Sequence, residues 1–251
     1  MFSVQSIRRC VGRAIATISA LIPRALCAAF LAIGLASCDA SQWTGKPRTP
    51  LMVVGLVDRS ASYPALDRAS HDLMGLLDSL GGGDRLLVRF VSEASHAAGE
   101  NVVDFTVLEP PTNTLDPRSR TVRDSARARL AAVRQALEEM GHRPRAQRTD
   151  YIGGVAIASE LFATAQPGQR RVLLVAGDGL ENGQNDKAGI PIDLQGVDVR
   201  WIDFESRSLG LAQMLTVKET WKARFTSWGA ASVAFVPTGQ PIPLQPVAQT
   251  H

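Results

Sequence analysis

The sequence predicts a doubly wound, Rossmann-like α/β fold with a mostly parallel central sheet and one antiparallel edge strand. Strand-like apolar runs alternate with segments in which apolar residues recur at helical spacing, and this order builds parallel sheets. Two runs, Leu51–Val57 and Arg171–Ala176, are almost continuously apolar, as strands buried on both faces are. A third run, Asn101–Leu108, follows a strand with no helix between them, which predicts an antiparallel edge partner.

The first 37 residues have the pattern of an export signal. Arginines precede the apolar run Ala25–Ser37, which is short for a bilayer span but suits the apolar region of a signal peptide. The run ends in Leu35-Ala36-Ser37-Cys38, which resembles the lipobox of bacterial lipoproteins. This resemblance implies cleavage before Cys38 and attachment of lipid to its thiol, whereas the alternative is an uncleaved N-terminal anchor.

Loss of residues 1–37 would change the charge and the thiol content of the chain. The segment carries four arginines and no acid, so its removal takes the formal net charge from +3 to −1, which offers no argument for nucleic-acid binding. Cys10 and Cys27 would leave with it, so the folded part would hold no free thiol. We therefore expect a lipid-anchored protein facing the periplasm, with Asp39 favouring the inner membrane.

The remaining chain divides into three parts. Residues 38–50 are small and polar with two prolines, which predicts a tether. The domain is expected at 51–236. The tail 237–251 is rich in Pro and Gln and is predicted to be disordered.

The first half of the domain is expected to hold a strand, a helix and a hairpin. Leu51–Val57 is the first strand, and Pro64–Leu80 has leucines on one face at helical spacing. Gly81–Gly83 ends that helix because glycine disfavours helical conformation. Arg85–Ser92 and Asn101–Leu108 then form the hairpin strands.

The second half is expected to alternate helices and parallel strands. The predicted elements are helices at Thr121–Met140 and Val155–Ala165, strands at Arg171–Ala176 and Val197–Phe204, a helix at Leu209–Trp228 and a strand at Ser232–Val236. Ile157, Leu161 and Phe162 are expected to face inward from the helix at Val155–Ala165. The helix at Leu209–Trp228 carries the apolar residues Leu211, Met214, Leu215, Trp221, Phe225 and Trp228, of which Trp221 and Trp228 are expected in the core.

Polar side chains follow the first strand at alternate positions. Asp58, Ser60 and Ser62 come directly after Val57, at the carboxyl end where open parallel sheets bind ligands. One carboxylate and two hydroxyls suit a hard divalent cation. Asp and Ser are also ordinary turn residues, so an unliganded polar turn is the alternative.

Two later residues can join this group through the sheet. Thr149 precedes a predicted helix, and Asp178 follows a buried strand and precedes Gly179. With Asp58, Ser60 and Ser62, these residues make the chain over about 51–236 resemble a von Willebrand factor type A domain with a metal-ion-dependent adhesion site.

The resemblance implies a role for each residue. Hydroxyls of Ser60, Ser62 and Thr149 would coordinate Mg²⁺, while Asp58 and Asp178 would act through bound water and hydrogen bonds. Mn²⁺ and Ca²⁺ are the alternative ions. An acidic side chain from a protein partner would supply a further ligand, and no catalytic residue is implied.

Four acidic or small residues near the motif depart from the family or add charge to it. Gly177 stands before Asp178, where many members carry Ser or Thr. Asp150, Glu181 and Asp186 are further acids near the loops, and they leave the preferred ion open.

Two other functions are kept as alternatives to a binding module. One is a Mg²⁺-dependent hydrolase or phosphotransferase on the same scaffold. The sequence lacks a Gly-rich phosphate loop with Lys, and it places no His near a strand end with a suitable Ser, which counts against that enzyme. The other is a scaffold with a vestigial metal site.

An arginine-rich stretch, 118–148, has two interpretations. It holds Arg118, Arg120, Arg123, Arg127, Arg129, Arg134, Arg143, Arg145 and Arg148. In the first interpretation the stretch is a solvated helix face that is partly neutralised by neighbouring acids. In the second it contacts anionic lipid or an acidic partner.

Overall fold

Six strands form one sheet in a computed structural model that describes residues 48–93, 95–98, 100–109, 117–183 and 190–244. The strands are β1 (Leu51–Asp58), β2 (Arg85–Val91), β3 (Asn101–Thr106), β4 (Arg170–Ala176), β5 (Val197–Ile202) and β6 (Ser232–Phe235). The helices are α1 (Leu66–Ser79), α2 (Ser95–Ala98), α3 (Pro117–Met140), α4 (Tyr151–Phe162) and α5 (Leu211–Ser227). The predicted signal segment, including Cys38, lies outside the described residues. Among those that are described, no helix is long and apolar enough to cross a membrane.

The strand order is β3-β2-β1-β4-β5-β6. Every neighbouring pair is parallel except β2 and β3, which are antiparallel. The predicted fold class is therefore confirmed, including the antiparallel strand at the sheet edge. Strand β1 lies in the interior of the sheet and is buried along its whole length, as its continuous apolar sequence predicts.

Helices cover both faces of the sheet and create two apolar cores. Val53 and Val57 of β1 point to the core that contains α1 and α3. Met52, Val54 and Leu56 point to the core that contains α4 and α5. This alternation is the period of two expected for a strand, and it leaves the carboxyl end of β1 as an edge bordered by helices from both faces.

Several element boundaries differ from the predictions. Helix α4 begins at Tyr151 rather than Val155, because Asp150 caps it by accepting a hydrogen bond from the backbone N–H of Gly153. Helix α3 begins at Pro117, four residues earlier than predicted. The short helix α2 was not predicted.

The apolar residues in the first half of α5 do not all face the core. Trp221 and Phe225 are buried, whereas Leu211 is 77% exposed and Leu215 is 53% exposed. Val217 belongs to the same stripe as the two buried aromatics and packs on the core. The two leucines lie roughly 100° around the helix from that stripe, so they cannot reach the sheet. In α4, likewise, Phe162 is buried while Ile157 and Leu161 are half-buried.

Part of the segment predicted as a disordered tail packs on the domain. Ile242 and Leu244 contact the core on the α1 side of the sheet. The Nε–H of Arg200 donates to the carbonyl of Pro243 at 3.2 Å. Residues 237–244 therefore differ from the expected disorder, and 245–251 lie outside the described residues.

Candidate metal centre

Three loops meet at the carboxyl edge of the sheet and bring the predicted site residues together. The loops follow β1, connect α3 to α4, and follow β4. Asp58, Ser60, Thr149 and Asp178 are each no more than 2% exposed, and Ser62 is half-buried. Such burial is unusual for polar side chains and requires that they find partners.

The first loop folds back on the carboxylate of Asp58. Oδ1 of Asp58 accepts a hydrogen bond from the backbone N–H of Ser60 at 2.6 Å, and Oδ2 accepts from the Ser60 hydroxyl at 3.0 Å. The hydroxyls of Ser60 and Ser62 lie 3.0 Å apart. The alternate spacing in the sequence therefore places all three side chains on one side of the loop.

Thr149 reaches the same carboxylate from the second loop. Its hydroxyl donates to Oδ1 of Asp58 at 3.4 Å. Its backbone N–H donates to Oδ1 of Asn182 at 2.6 Å, and its carbonyl accepts from the Asn182 backbone N–H at 3.1 Å. Asn182 thus holds Thr149 in place from the third loop, and its only signal in the sequence is a polar residue near Asp178.

Backbone hydrogen bonds join the second loop to the first. The N–H of Ala146 donates to the carbonyl of Arg59 at 2.9 Å, and the N–H of Ala61 donates to the carbonyl of Ala146 at 3.3 Å. Both bonds flank Ser60. The three loops are therefore connected before any ligand arrives, which favours a preorganised site.

Asp178 completes the group from the third loop. Its Oδ1 accepts from the backbone N–H of Leu180 at 2.9 Å. Its Oδ2 accepts from the hydroxyl of Ser206, in the loop after β5, at 3.4 Å. Ser206 was missed at the sequence level, because only the alignment of β5 beside β4 brings its loop to Asp178.

The negative charge of Asp178 acts on the buried carboxylate of Asp58. Burial, and then the negative charge of Asp178, raise the pKa of Asp58 to about 6 from an ordinary 3.8. A cation near both groups would offset this repulsion. The surrounding oxygens are hydroxyls and carboxylates, which suit Mg²⁺, Mn²⁺ or Ca²⁺, so the residues fit a hard divalent ion.

Hydroxyl groups are essential to that fit. Within the described ranges, no three His, Cys, Asp or Glu side chains are grouped so that they could hold a metal ion. Two of the described carboxylates, Asp58 and Asp178, belong to this centre. Any ion held here would therefore depend on Ser60, Ser62 and Thr149 for neutral oxygen ligands.

Tyr151, in the first turn of α4, is the principal site residue that the sequence did not reveal. Its hydroxyl donates to Oδ2 of Asp58 at 2.8 Å and accepts from the backbone N–H of Gly179 at 3.1 Å. Burial, together with the negative charge of Asp58, raises the pKa of Tyr151 well above its usual value. The neutral phenol therefore links the two loops, as a donor to the first and an acceptor from the third.

The glycine before Asp178 is explained by this tyrosine. A Cβ on Gly177 would overlap the Tyr151 hydroxyl and would lie 2.7 Å from Cβ of Asp58. The Ser or Thr common in the resembling family cannot fit while Tyr151 occupies this space. Gly177 and Tyr151 thus form a matched pair.

The additional acids have structural partners. Asp150 accepts from the backbone N–H groups of Gly153 at 2.7 Å and Ser95 at 3.0 Å, and Glu181 accepts from the N–H of Ile152 at 3.0 Å. Both carboxylates therefore stabilise the N-terminus of α4, where negative charge is favourable. Asp186 lies outside the described residues.

Comparison with known proteins identifies similar folds at low sequence identity. No family model matches the chain, and no curated protein matches it. A von Willebrand factor type A protein from Catenulispora acidiphila is 16% identical, with a TM-score of 0.42, over 61% of this chain and 33% of that protein. The chain thus spans about a third of that relative's length.

A pilus adhesin and a minor pilin also have similar folds at low sequence identity. The pilus adhesin SpaC from Lactobacillus rhamnosus GG, in its open conformation, is 10% identical with a TM-score of 0.48, covering 78% of this chain and 28% of SpaC. The minor pilin PilB from Streptococcus sanguinis is 13% identical with a TM-score of 0.44, covering 76% of this chain and 58% of PilB.

Proposed function

We propose that this chain is a non-catalytic binding module of the bacterial cell envelope, held to a membrane by lipid on Cys38. Its carboxyl-edge centre would engage an acidic side chain of a protein partner through a divalent cation. The observation that carries the proposal is the convergence of Ser60 and Thr149 on the buried carboxylate of Asp58, with Asp178 close enough to raise its pKa.

The residues divide the work by their chemistry. Ser60, Ser62 and Thr149 would hold Mg²⁺, Mn²⁺ or Ca²⁺ through neutral hydroxyl oxygens, and Asp58 and Asp178 would accept hydrogen bonds from the surrounding shell. A bound ion with few anionic ligands supplies an electrophilic centre for a carboxylate oxygen. Of the five predicted residues, Ser62 is the most exposed, so it borders the side from which a partner would approach.

The titratable groups at the centre suit binding better than proton transfer. The pKa of Tyr151 lies well above its ordinary value, so the phenol keeps its proton near neutral pH. Asp58 is enclosed by four hydrogen-bond donors, Ser60 N–H, Ser60 hydroxyl, Thr149 hydroxyl and Tyr151 hydroxyl. A carboxylate so occupied stabilises the loops rather than activating a substrate.

Calorimetric titration tests the centre directly. The protein is a soluble form beginning at Asp39, which includes the compact unit Thr49–His251, and the ligands are Mg²⁺, Mn²⁺ and Ca²⁺. We expect one saturable site that Asp58→Asn and Ser60→Ala abolish and that Glu219→Gln, an exposed control, retains. Binding that persists in both site variants would refute the metal centre.

Mass spectrometry tests the anchor separately. Protein purified from the membrane fraction should begin at a diacylated Cys38, and Cys38→Ala should release the protein from membranes or leave its signal uncleaved. A mature chain of unmodified mass would refute the anchor without affecting the metal titration.

A further inference from the structure

The first half of α3 is a helix segment whose described side chains are mostly exposed. Over residues 118–130, Ser119 is buried, Ala126, Leu130 are half-buried, and every other residue is exposed. Surface helices normally bury an apolar stripe along their whole length. This half instead carries five arginines, Arg118, Arg120, Arg123, Arg127 and Arg129, against one acid, Asp124.

The start of α3 projects beyond the helix on which it packs. Helix α3 runs antiparallel to α1, because the Ser70 hydroxyl donates to the carbonyl of Leu137 while Ala126 and Leu130 share a groove with Leu80 at the end of α1. Residues 117–125 therefore extend past α1 by about 14 Å at 1.5 Å per residue.

This projection lies at the edge of the sheet opposite the candidate metal centre. At that edge the chain turns from Leu80 to Arg85, and Thr106 at the end of β3 pairs with Arg85. Asp84 in the same turn accepts from the backbone N–H of Leu51 at 2.8 Å. The arginine-bearing helix therefore starts at the edge where the chain enters β1.

We propose that the start of α3 rests on anionic phospholipid headgroups when the domain is tethered through Cys38. The inference rests on the lipid anchor of the proposed function and is independent of the metal centre. Residues 39–50 separate the anchor from β1 and span at most about 45 Å when extended, so this edge stays within reach of the bilayer.

The charges and apolar groups at this edge match a lipid surface. Neither Arg120 nor Arg123 makes an ion pair within the part of the chain that the structure describes. Val122, between them, is 41% exposed, and Leu108 at the end of β3 is 39% exposed. Exposed arginines with neighbouring apolar side chains are typical of surfaces that lie on anionic bilayers. An acidic protein would attract the arginines equally, but the tether makes the membrane the polyanion that is always near.

The test measures which edge of the domain contacts lipid. The full chain is produced with its lipid, reconstituted in vesicles, and labelled with a fluorophore at one added cysteine, Val122→Cys or Leu211→Cys. Loss of Cys10 and Cys27 with the signal and acylation of Cys38 leave the added thiol free for labelling. Quenching by spin-labelled lipid is then compared in phosphatidylcholine vesicles with and without phosphatidylglycerol.

We expect the Val122→Cys label to be quenched only in vesicles with phosphatidylglycerol, and the Leu211→Cys label to remain unquenched in both. Adding Arg120→Gln and Arg123→Gln to the Val122→Cys chain should lower the ratio of quenched to unquenched label about tenfold or more. The control substitutions Arg148→Gln and Arg207→Gln, which remove the same charge at the metal edge, should leave the quenching unchanged. High salt should reduce the quenching as Arg120→Gln with Arg123→Gln does, because it shortens the Debye length to about 3 Å at 1 M.

Five results would overturn the proposal. Three of them are equal quenching of both labels, quenching that does not require phosphatidylglycerol, and quenching that survives Arg120→Gln with Arg123→Gln. A label at Val122 that stays unquenched in every vesicle would point to an acidic protein instead. A chain without lipid on Cys38, judged by its mass, would also overturn it, while the Mg²⁺ titration would still report on the metal centre.

Discussion

The hydroxyl of Tyr151 donates a hydrogen bond to Oδ2 of Asp58 across the interface between α4 and β1, at 2.8 Å. The Tyr151 hydroxyl oxygen also accepts a hydrogen bond from the backbone N–H of Gly179, in the loop after β4. One phenol therefore orients the carboxylate at the centre of the site and ties two of its loops together. Neither ring position nor partner could be assigned before the fold was known.

Removal of this hydroxyl should weaken both the fold and the metal centre. We expect Tyr151→Phe to lower the free energy of unfolding by about 1–3 kcal/mol, because it leaves a buried N–H of Gly179 without its acceptor. Mg²⁺ affinity should fall about tenfold, as for other groups that orient metal ligands. Urea unfolding and calorimetry measure the two effects.

A second buried tyrosine supplies the matched control. The hydroxyl of Tyr63 has no hydrogen-bond partner among the described residues, although the ring is fully buried. Tyr63→Phe should therefore leave the free energy of unfolding unchanged or raise it slightly. Equal losses in the two variants would show that the Tyr151 hydroxyl has no special role.

A side chain at Gly177 should be costly because of Tyr151. We expect Gly177→Ala to lower the free energy of unfolding by about 3 kcal/mol, since the methyl group overlaps the phenol oxygen. In Gly177→Ala with Tyr151→Phe the loss should be about 1 kcal/mol smaller than the sum of the single losses. If the losses in free energy of unfolding are strictly additive in this double-mutant cycle, Gly177 and Tyr151 do not depend on each other.

The raised pKa of Asp58 predicts a pH dependence for the metal-free protein. Its pKa is about 6 when folded, against an ordinary 3.8, so between these values the folded state binds more protons than the unfolded state. The free energy of unfolding should then fall by about 3 kcal/mol in all as pH rises from about 3 to 7, with about two thirds of that loss between pH 4 and 6.

Urea unfolding with chelator at several pH values measures this decrease. Asp58→Asn has no proton to lose and should flatten the curve over this interval. Saturating Mg²⁺ should restore stability above pH 6, and Mg²⁺ affinity should rise with pH as Asp58 ionises. If the free energy of unfolding of Asp58→Asn depends on pH as that of the parent does, a group other than Asp58 is responsible for the decrease.

The two sides of α5 should respond differently to mutation. Leu215→Gln replaces a side chain that is 53% exposed and should change the free energy of unfolding by less than about 0.5 kcal/mol. Phe225→Ala removes a fully buried ring and should cost about 3–5 kcal/mol. Thermal or urea unfolding of the two variants decides this, and a large loss from Leu215→Gln would contradict the observed orientation of the helix.

The fold could be predicted from the sequence because its signals are local. Continuous apolar runs gave β1 and β4, and the missing helix before Asn101 gave the antiparallel edge. Orientation of α5 could not be predicted, since Leu211 and Phe225 are equally apolar and only the sheet edge decides which stripe is buried. In the tail, Ile242 and Leu244 were apolar signals within a Pro-rich segment whose composition suggested disorder.

Five candidate site residues could be predicted because strand ends in a parallel sheet meet at one edge. Asp58 and Asp178 each follow a buried strand directly, so their proximity needed only the fold class. Tyr151, Asn182 and Ser206 act through contacts between loops, and such contacts leave no periodic trace in the sequence. Whether these residues hold an ion stays a prediction.

The interior position of β1 has a mechanical consequence. The chain enters β1 at Leu51, and the first loop of the candidate centre leaves it at Asp58, so tension between a tether and a captured partner would act along this one strand. Seven residue pairs join β1 to β2 and seven join it to β4, all in parallel register. Because β1 is already extended, a pull on its two ends is carried by its own backbone and places little load on the two ladders. Force spectroscopy that pulls from Leu51 and Ser62 should therefore leave the rest of the sheet folded at forces that unfold the domain when it is pulled from Leu51 and Phe235, at the end of the edge strand β6.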